Sequence, residues 1–423
     1  VIGVDDALEV VLGAVSPLPT EEIALEEAPG RILAETIAAS LDMPPFDRTA
    51  MDGYALAAAD AASVPVDLNV IEEIAAGHDP VKRLGPGQAA RIMTGAAIPQ
   101  GADAIVMVER TESLDGGRRV RILERPAAGD HVRRRGEDLA RGSLLLQPGT
   151  SLGAAEIALL AGEGRARVRV GGLPTVSILS TGDELVGIET VPSGSRIRET
   201  NSWSLLSLLR RMGIEPRRLG IARDDPAVLA TMIREGLRSD VLILSGGVSM
   251  GEYDLVGGAL REAGCLPLFE RVAIQPGKPL FFGVIDRISG PGLPGTSRSS
   301  GPERFKVVFG LPGNPVSSIV DFLVFARPAL RVMMGAGSPV EPMPSAEITE
   351  SIRRRPGRRA YLPARVEISD SGHLLARPLP SMGSADLVAL SRSNALLVAS
   401  ESDGPLEKGA RLPVLFLDDA FLR

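Results

Sequence analysis

The sequence predicts a multidomain α/β-plus-β protein: a parallel α/β domain with a β-rich insert before it and a small β-barrel after it. Three observations carry that expectation. At 423 residues the chain exceeds what a single core ordinarily spans. From Pro174 onward short apolar strands alternate with helical patterns, the rhythm of a parallel sheet covered on both faces. After Gly335-Ala336-Gly337-Ser338-Pro339 the pattern returns to short strands divided by turn residues, which reads as a barrel.

Taken in order, residues 4–15 have helical spacing, and residues 21–40 read as a second helix whose start is disturbed by Pro29-Gly30. Met43-Pro44-Pro45-Phe46 is an extended break. Strands are then expected at 67–75, 88–93, 104–109 and 119–123, separated by Gly and Pro. The cluster Arg133-Arg134-Arg135 with Gly136-Glu137-Asp138 closes this segment, and residues 152–161 form a helix with Ser151 as N-cap. In the α/β segment, 175–179, 216–222 and 241–244 are strands, while 201–212, 226–237 and 254–263 are helices. Residues 289–300 form a Gly/Pro/Ser-rich surface loop, 307–309 a further strand, and 317–334 an apolar helix around Pro328.

Composition narrows the function. Aromatics are 3% of the chain and the net charge is −7, so a base-stacking, basic nucleic-acid surface is not expected. One cysteine, Cys265, and three scattered histidines exclude a disulfide framework and disfavour zinc, leaving a hard, oxygen-bound cation such as Mg²⁺. No apolar run is long enough to span a bilayer, so a soluble, cytoplasmic protein without a membrane partner is expected.

The chemistry concentrates after the strands. The run Val241-Leu242-Ile243-Leu244 opens onto Ser245-Gly246-Gly247-Val248-Ser249-Met250-Gly251-Glu252-Tyr253-Asp254. Glycines there let backbone N–H groups meet an anion, and the carboxylates suit a cation bridging to phosphate. Asp183 and Glu184 in Ser180-Thr181-Gly182-Asp183-Glu184 would hold a cation or orient a water, or Asp183 would merely cap the next element. Thr200, Asn201 or Ser202 caps the following helix, and Asp225 before Pro226 reads equally as cap and as ligand. Lys278 in Gln275-Pro276-Gly277-Lys278-Pro279 is a point charge on a stiff loop, suited to phosphate. Ser317 and Ser318 sit at the positive end of a helix entered through Gly310-Leu311-Pro312-Gly313-Asn314-Pro315. No P-loop or dinucleotide fingerprint occurs in these loops.

Two more motifs, Phe46-Asp47-Arg48-Thr49-Ala50-Met51-Asp52-Gly53-Tyr54 and Arg91-Ile92-Met93-Thr94-Gly95, are not explained by spacing. Together with the strand-end loops, in this order, they resemble the molybdopterin molybdenumtransferase family, called MoeA in bacteria and the E-domain of gephyrin in animals. The resemblance covers essentially the whole chain. It implies an elongated protomer of four domains: residues 1–42 with 135–170, then 43–134, 171–336 and 337–423. It implies a homodimer in which Asp52 and Thr94 complete the partner's cleft. It also implies Mg²⁺-dependent insertion of molybdenum from molybdate into adenylylated molybdopterin, with release of AMP.

By the same resemblance, Glu184, Asp225 and Asp254 would bind the cation or place the attacking water. Asp52 and Thr94 would shape the oxyanion or cofactor region. The phosphate and pterin portions would lie against Ser180, Thr181, Gly182, Asp183, Ser245, Gly246, Gly247, Ser249, Gly251, Lys278, Pro312, Gly313, Asn314 and Ser317. A molybdopterin adenylyltransferase and recipient molybdoenzymes would be its partners. The chain departs from the family's Lys-Pro-Gly-Lys at Gln275, so one cationic contact is missing; Arg271 or the segment near Arg133 is expected to replace it. Scaffolding and adenylylation are the competing readings, since relatives of these domains do both.

Overall fold

The computed structural model describes residues 1–247, 255–286 and 305–417. The chain divides into two compact units, Val1–Glu35 with Pro148–Ala158 and Ala166–Arg423, and Thr36–Gln147 with Leu159–Arg165.

The first unit is built on a six-stranded sheet. Its strands lie in the order Arg217–Ala222, Val176–Thr181, Val241–Ser245, Phe305–Leu311, Pro279–Asp286, Leu266–Arg271. The Val241–Ser245 strand is buried along its whole length and pairs in parallel on both sides, which is why it reads as an unbroken apolar run. Alternation sorts its side chains onto two faces. Val241 and Ile243 pack with Leu205, Leu209, Val316 and Val320, from helices Asn201–Arg211 and Pro315–Asp321. Leu242 and Leu244 pack with Leu229, Ile233, Val256 and Leu260, from helices Pro226–Gly236 and Leu255–Glu262.

The sheet is not wholly parallel: Pro279–Asp286 and Leu266–Arg271 run antiparallel to their neighbours. The connection 272–278 between them is too short for the crossover helix that a parallel pair requires. Residues 21–40 are not a helix. Thr20–Ala24 is a strand paired with Arg167–Gly171, followed by a single 3₁₀ turn at Leu25–Glu27. A partner far along the chain satisfies that backbone, and Pro29-Gly30 ends any helical continuation. The expected apolar helix begins at Pro315, widens into a π turn at Phe322–Ala326 and continues as Arg327–Met333.

The terminal region of this unit is a closed five-stranded barrel. Arg359–Ile368 pairs with both Leu374–Pro378 and Ala395–Ala399; Ser345–Ile348 joins Leu374–Pro378 to Arg411–Phe416, which pairs back to Ala395–Ala399. Closure leaves no open edge and encloses a small core that includes Ile348, Val366, Leu397 and Val414. A short parallel pairing of Ile274–Gln275 with Arg359 and Ala360 ties the barrel to the lysine loop of the α/β domain.

The second unit is a curled six-stranded sheet in the order Ala104–Met107, Gly53–Leu56, Gln88–Ile92, Val66–Ile74, Arg119–Ile122, Thr111–Leu114. It contains the four expected strands and adds Gly53–Leu56 and Thr111–Leu114. A Cβ at Gly53 would lie 2.0 Å from the Val106 carbonyl oxygen, so strand pairing here requires glycine. Among the described residues no helix is long and apolar enough to cross a membrane.

Candidate active site

Strands Val176–Thr181 and Val241–Ser245 lie side by side, yet the chain leaves the first toward one edge of the sheet and the second toward the other. Their carboxyl ends therefore flank the topological switch point, where an open α/β sheet binds its ligand. Ser180 stands in register with Ser245. Gly246 and Gly247 have φ of +91° and +67°, and added Cβ atoms would fall 2.5 Å from the Thr181 oxygen and 2.4 Å from Val256 Cγ2 respectively. The loop thus folds onto Thr181 in a shape that only glycine allows. Gly246 donates its N–H to the Leu311 carbonyl at 3.1 Å.

Asn201 fastens a third loop to this pair. Its buried amide donates to Ser245 Oγ at 2.6 Å and to the Gly313 carbonyl at 2.8 Å. A Cβ on Gly313 would lie 3.6 Å from the Gly246 Cα. Ser180 Oγ, Thr181 Oγ1 and Asn201 Oδ1 are buried and have no hydrogen-bond partner among the described residues. Three unpaired polar oxygens at one strand end are a costly arrangement unless a ligand supplies partners. The N-cap position of this helix is Thr200, one of the three residues expected, but its side chain makes no capping bond; the Glu199 carboxylate accepts instead from Ser202 N and Ser202 Oγ at 2.6 Å each.

The carboxylates follow on the adjacent strand ends. Asp183 Oδ1 accepts from the Asp224 N–H at 3.3 Å, which brings the 182–185 and 223–225 loops together. Glu184 is exposed, and its carboxylate folds over Gly182, where a Cβ would meet Oε2 at 2.4 Å. Asp225 is an N-cap: Oδ1 accepts from Ala227 N and Val228 N at 2.9 Å each, and Oδ2 takes no bond among those described. Asp254, Ser249 and Gly251, with the 289–300 loop, lie outside the described residues. Among the described residues no three His, Cys, Asp or Glu side chains converge.

On the other side of the Pro312–Asn314 loop opens a cavity of about 390 Å³. The α/β domain contributes Gln275, Lys278, Asn314 and Ser317 to its wall, and the barrel contributes Arg358, Tyr361, Ser381 and Ser384. Lys278 is exposed on a loop with a cis Gln275–Pro276 bond. Asn314 Nδ2 donates to Ser384 Oγ at 2.8 Å, and Val316 N to the Ser384 carbonyl at 3.0 Å, so the barrel loop closes on the helix start. Lys278 and Arg358 give the cavity two cations, and no carboxylate is among its lining residues.

Three family models match in order along the chain: the MoeA N-terminal region (domain I and II) over residues 2–164, the probable molybdopterin binding domain over 177–332, and the MoeA C-terminal region (domain IV) over 345–417. A molybdopterin molybdenumtransferase of Nostoc sp. is 35% identical over 94% of this chain and 89% of its own. That of Bacillus subtilis is 32% identical over 98% of this chain and 94% of its own. The crystal structure of a MoeA protein from Pyrococcus horikoshii superposes with a TM-score of 0.78 at 29% identity, covering 98% of this chain and all of that one.

The chain belongs to the molybdopterin molybdenumtransferase family. Within that family fold, Ser180, Thr181, Gly182, Ser245, Gly246, Gly247 and Gly313 converge at the switch point, while Lys278, Pro312, Asn314 and Ser317 line the neighbouring cavity. Asp183, Glu184 and Asp225 occupy the adjoining rim. Asp52 and Thr94 form a pair on the surface of the second unit: Asp52 Oδ1 accepts from Thr94 N at 2.6 Å and from Thr94 Oγ1 at 2.8 Å. These bonds, the backbone one foremost, with the charge of Arg91, hold the Asp52 carboxyl below the usual carboxylate range.

The arginines of the segment expected to replace the missing lysine have ion-pair partners of their own. Arg133 is paired with Asp138, Arg134 with Asp47 at 2.8 Å and Arg135 with Asp42 at 2.6 Å, all within the second unit. Arg271 is not among the residues lining the cavity, and the second cation is Arg358. Sequence reasoning missed Arg358, Ser381 and Ser384, because they lie in barrel loops that meet the lysine loop only after folding. The available signal was a polar residue next to a glycine turn, Gly357-Arg358 and Gly383-Ser384.

Proposed function

We propose that this protein inserts molybdenum from molybdate into adenylylated molybdopterin and releases AMP, within molybdenum cofactor biosynthesis. One observation carries the reading: the Pro312–Asn314 loop has the glycine corner of the switch point on one side and the lysine cavity on the other. Two anions held on the two sides of one loop would be neighbours. Lys278 and Arg358 would take the oxyanion, with Ser317 and Ser384 as hydroxyl donors. Ser180, Thr181 and the Gly246-Gly247 turn would take the phosphate and dithiolene portions. Preorganised cations and donors reduce the repulsion that otherwise keeps two such solutes apart.

Glu184 and the Oδ2 of Asp225, on loops joined by the Asp183–Asp224 bond, would hold Mg²⁺ at the rim, with Asp254 as the third ligand that the family resemblance implies. When bound, the ion supplies positive charge to phosphate oxygens. Asp52 and Thr94 of a second copy would close the cleft, making a homodimer the working form. A cytoplasmic location, an adenylyltransferase that supplies the nucleotide-capped pterin, and molybdoenzymes that receive the product complete the proposal.

Steady-state AMP release measured against molybdate concentration tests the placement. Lys278→Ala and Arg358→Ala should each raise the molybdate KM by about tenfold or more, the scale of one charged contact. The KM for adenylylated molybdopterin should stay near that of the unaltered protein. An unchanged molybdate KM in both variants overturns the placement.

A further inference from the structure

A second cavity, of about 410 Å³, lies beside the switch point and is used by nothing described above. It opens at the carboxyl end of the Arg217–Ala222 edge strand, where Gly220 and Ile221 stand in register with Leu179 and Ser180. Adjacent strands are about 4.8 Å apart, so its mouth is one strand removed from the Ser180–Thr181 corner. That is within the reach of one ligand spanning both.

The wall of this cavity is unusual for the chain. Its one tryptophan, Trp203, lines it and is 40% exposed. The Arg218 guanidinium lies 3.8 Å from the indole centroid, and its Nε donates to Ser202 Oγ at 3.1 Å, which fixes the plane of the group. A register shift in the edge strand falls between Arg218 and Gly220, both of which line the cavity. Such bulges re-aim side chains next to binding sites. Gly220 has φ +99°, and a Cβ there would meet nothing within 4 Å, so its missing side chain leaves space rather than contact. Glu199, only 4% exposed, also lines the cavity, and each carboxylate oxygen carries one bond from Ser202 with lone pairs to spare.

A flat cation–aromatic platform beside a buried carboxylate has a defined preference. The platform attracts a planar heteroaromatic ring by stacking, and the carboxylate favours an edge that presents two adjacent N–H donors. A 2-amino-4-oxo-pteridine has such an edge, and adenine does not. The geometry points to this cavity as the subsite for the pterin ring, stacked on the Trp203–Arg218 pair with its amino edge toward Glu199. It rests on the proposed function, and it places the pterin end of the substrate, rather than the adenylate end, beyond the edge strand.

Trp203 is its own reporter. Titration of the full-length protein with 6-hydroxymethylpterin should quench the tryptophan emission, whereas AMP at the same concentrations should not. Anisotropy of the pterin's own emission gives the affinity of variants that lack the indole. Trp203→Leu and Arg218→Ala should each weaken pterin binding about tenfold, as expected for one stacked ring. Trp203→Phe should restore most of it, and Glu199→Gln should weaken pterin without altering AMP. If a variant loses its circular-dichroism spectrum, the half-exposed Trp203→Phe and Trp203→Leu pair still decides the matter. Equal pterin affinity in Trp203→Leu and the unaltered protein, or quenching by AMP alone, overturns the assignment. Absence of AMP release by the unaltered protein would instead sink the proposed function, so the two failures are distinct.

Discussion

Gly277→Ala is the sharpest single perturbation of the lysine cavity. Gly277 has φ +116°, and a Cβ built there would lie 2.2 Å from Oδ1 of Asp321, a side chain with no exposure to solvent. The backbone conformation costs a non-glycine residue about 1–3 kcal/mol. Forcing a methyl group against a packed carboxyl costs about 1–3 kcal/mol more. Asp321 is fixed in the Pro315–Asp321 helix, so the 275–279 loop is the part that yields, and Lys278 moves with it. Calorimetric titration with molybdate should show affinity reduced at least tenfold, which is only about 1.4 kcal/mol of that strain. Gly277→Ala combined with Asp321→Ala relieves the steric part alone and should recover part of the loss. Unchanged molybdate affinity together with an unchanged urea midpoint in Gly277→Ala would show that Gly277 does not set the position of Lys278. The same carboxyl has a pH signature. Burial raises its pKa well above the usual carboxylate value, so the folded state keeps a proton that the unfolded state releases. Stability from this group is complete below the unfolded pKa and falls as pH rises toward the folded one, by about 1.4 kcal/mol per pH unit. Asp321→Asn should remove that slope from urea midpoints measured against pH.

Asp225 has two roles that substitution separates. Asp225→Ser keeps a capping oxygen and should cost little stability, whereas Asp225→Ala should lose about 1 kcal/mol; both should lose AMP release if Oδ2 serves the cation. Burial pushes the Cys265 thiol up to about 12, so it should resist alkylation at neutral pH until urea unfolds the chain. Co-expressing Asp52→Ala with Glu184→Ala should yield mixed dimers with partial activity, since one of their two clefts is intact. Inactive mixed dimers would remove the second unit from the partner's site.

What could be read in advance follows from how local each signal is. The Val241–Leu244 run and the Asp225-Pro226 cap announce themselves, because burial on both faces and capping are written into adjacent residues. The Glu21–Ala24 stretch misleads because its apolar spacing suits a helix, while the partner that makes it a strand lies at Arg167–Gly171. The Leu266–Arg271 and Pro279–Asp286 pair is obscured by prolines and charges that a hairpin tolerates. At the site, the strand-end glycines were legible from their loop chemistry. Arg358 and Ser384 were not, since only barrel closure and the Gln275–Ala360 pairing carry them to Lys278.

In the proposed reaction two anions meet across the loop of residues 312–314. Incubating the protein with adenylylated molybdopterin and Mg²⁺, and following AMP by chromatography, tests this most directly. AMP should appear only when molybdate is added, in step with molybdenum retained on the pterin. AMP released at the same rate without molybdate, or molybdenum bound with the adenylate still attached, would contradict it.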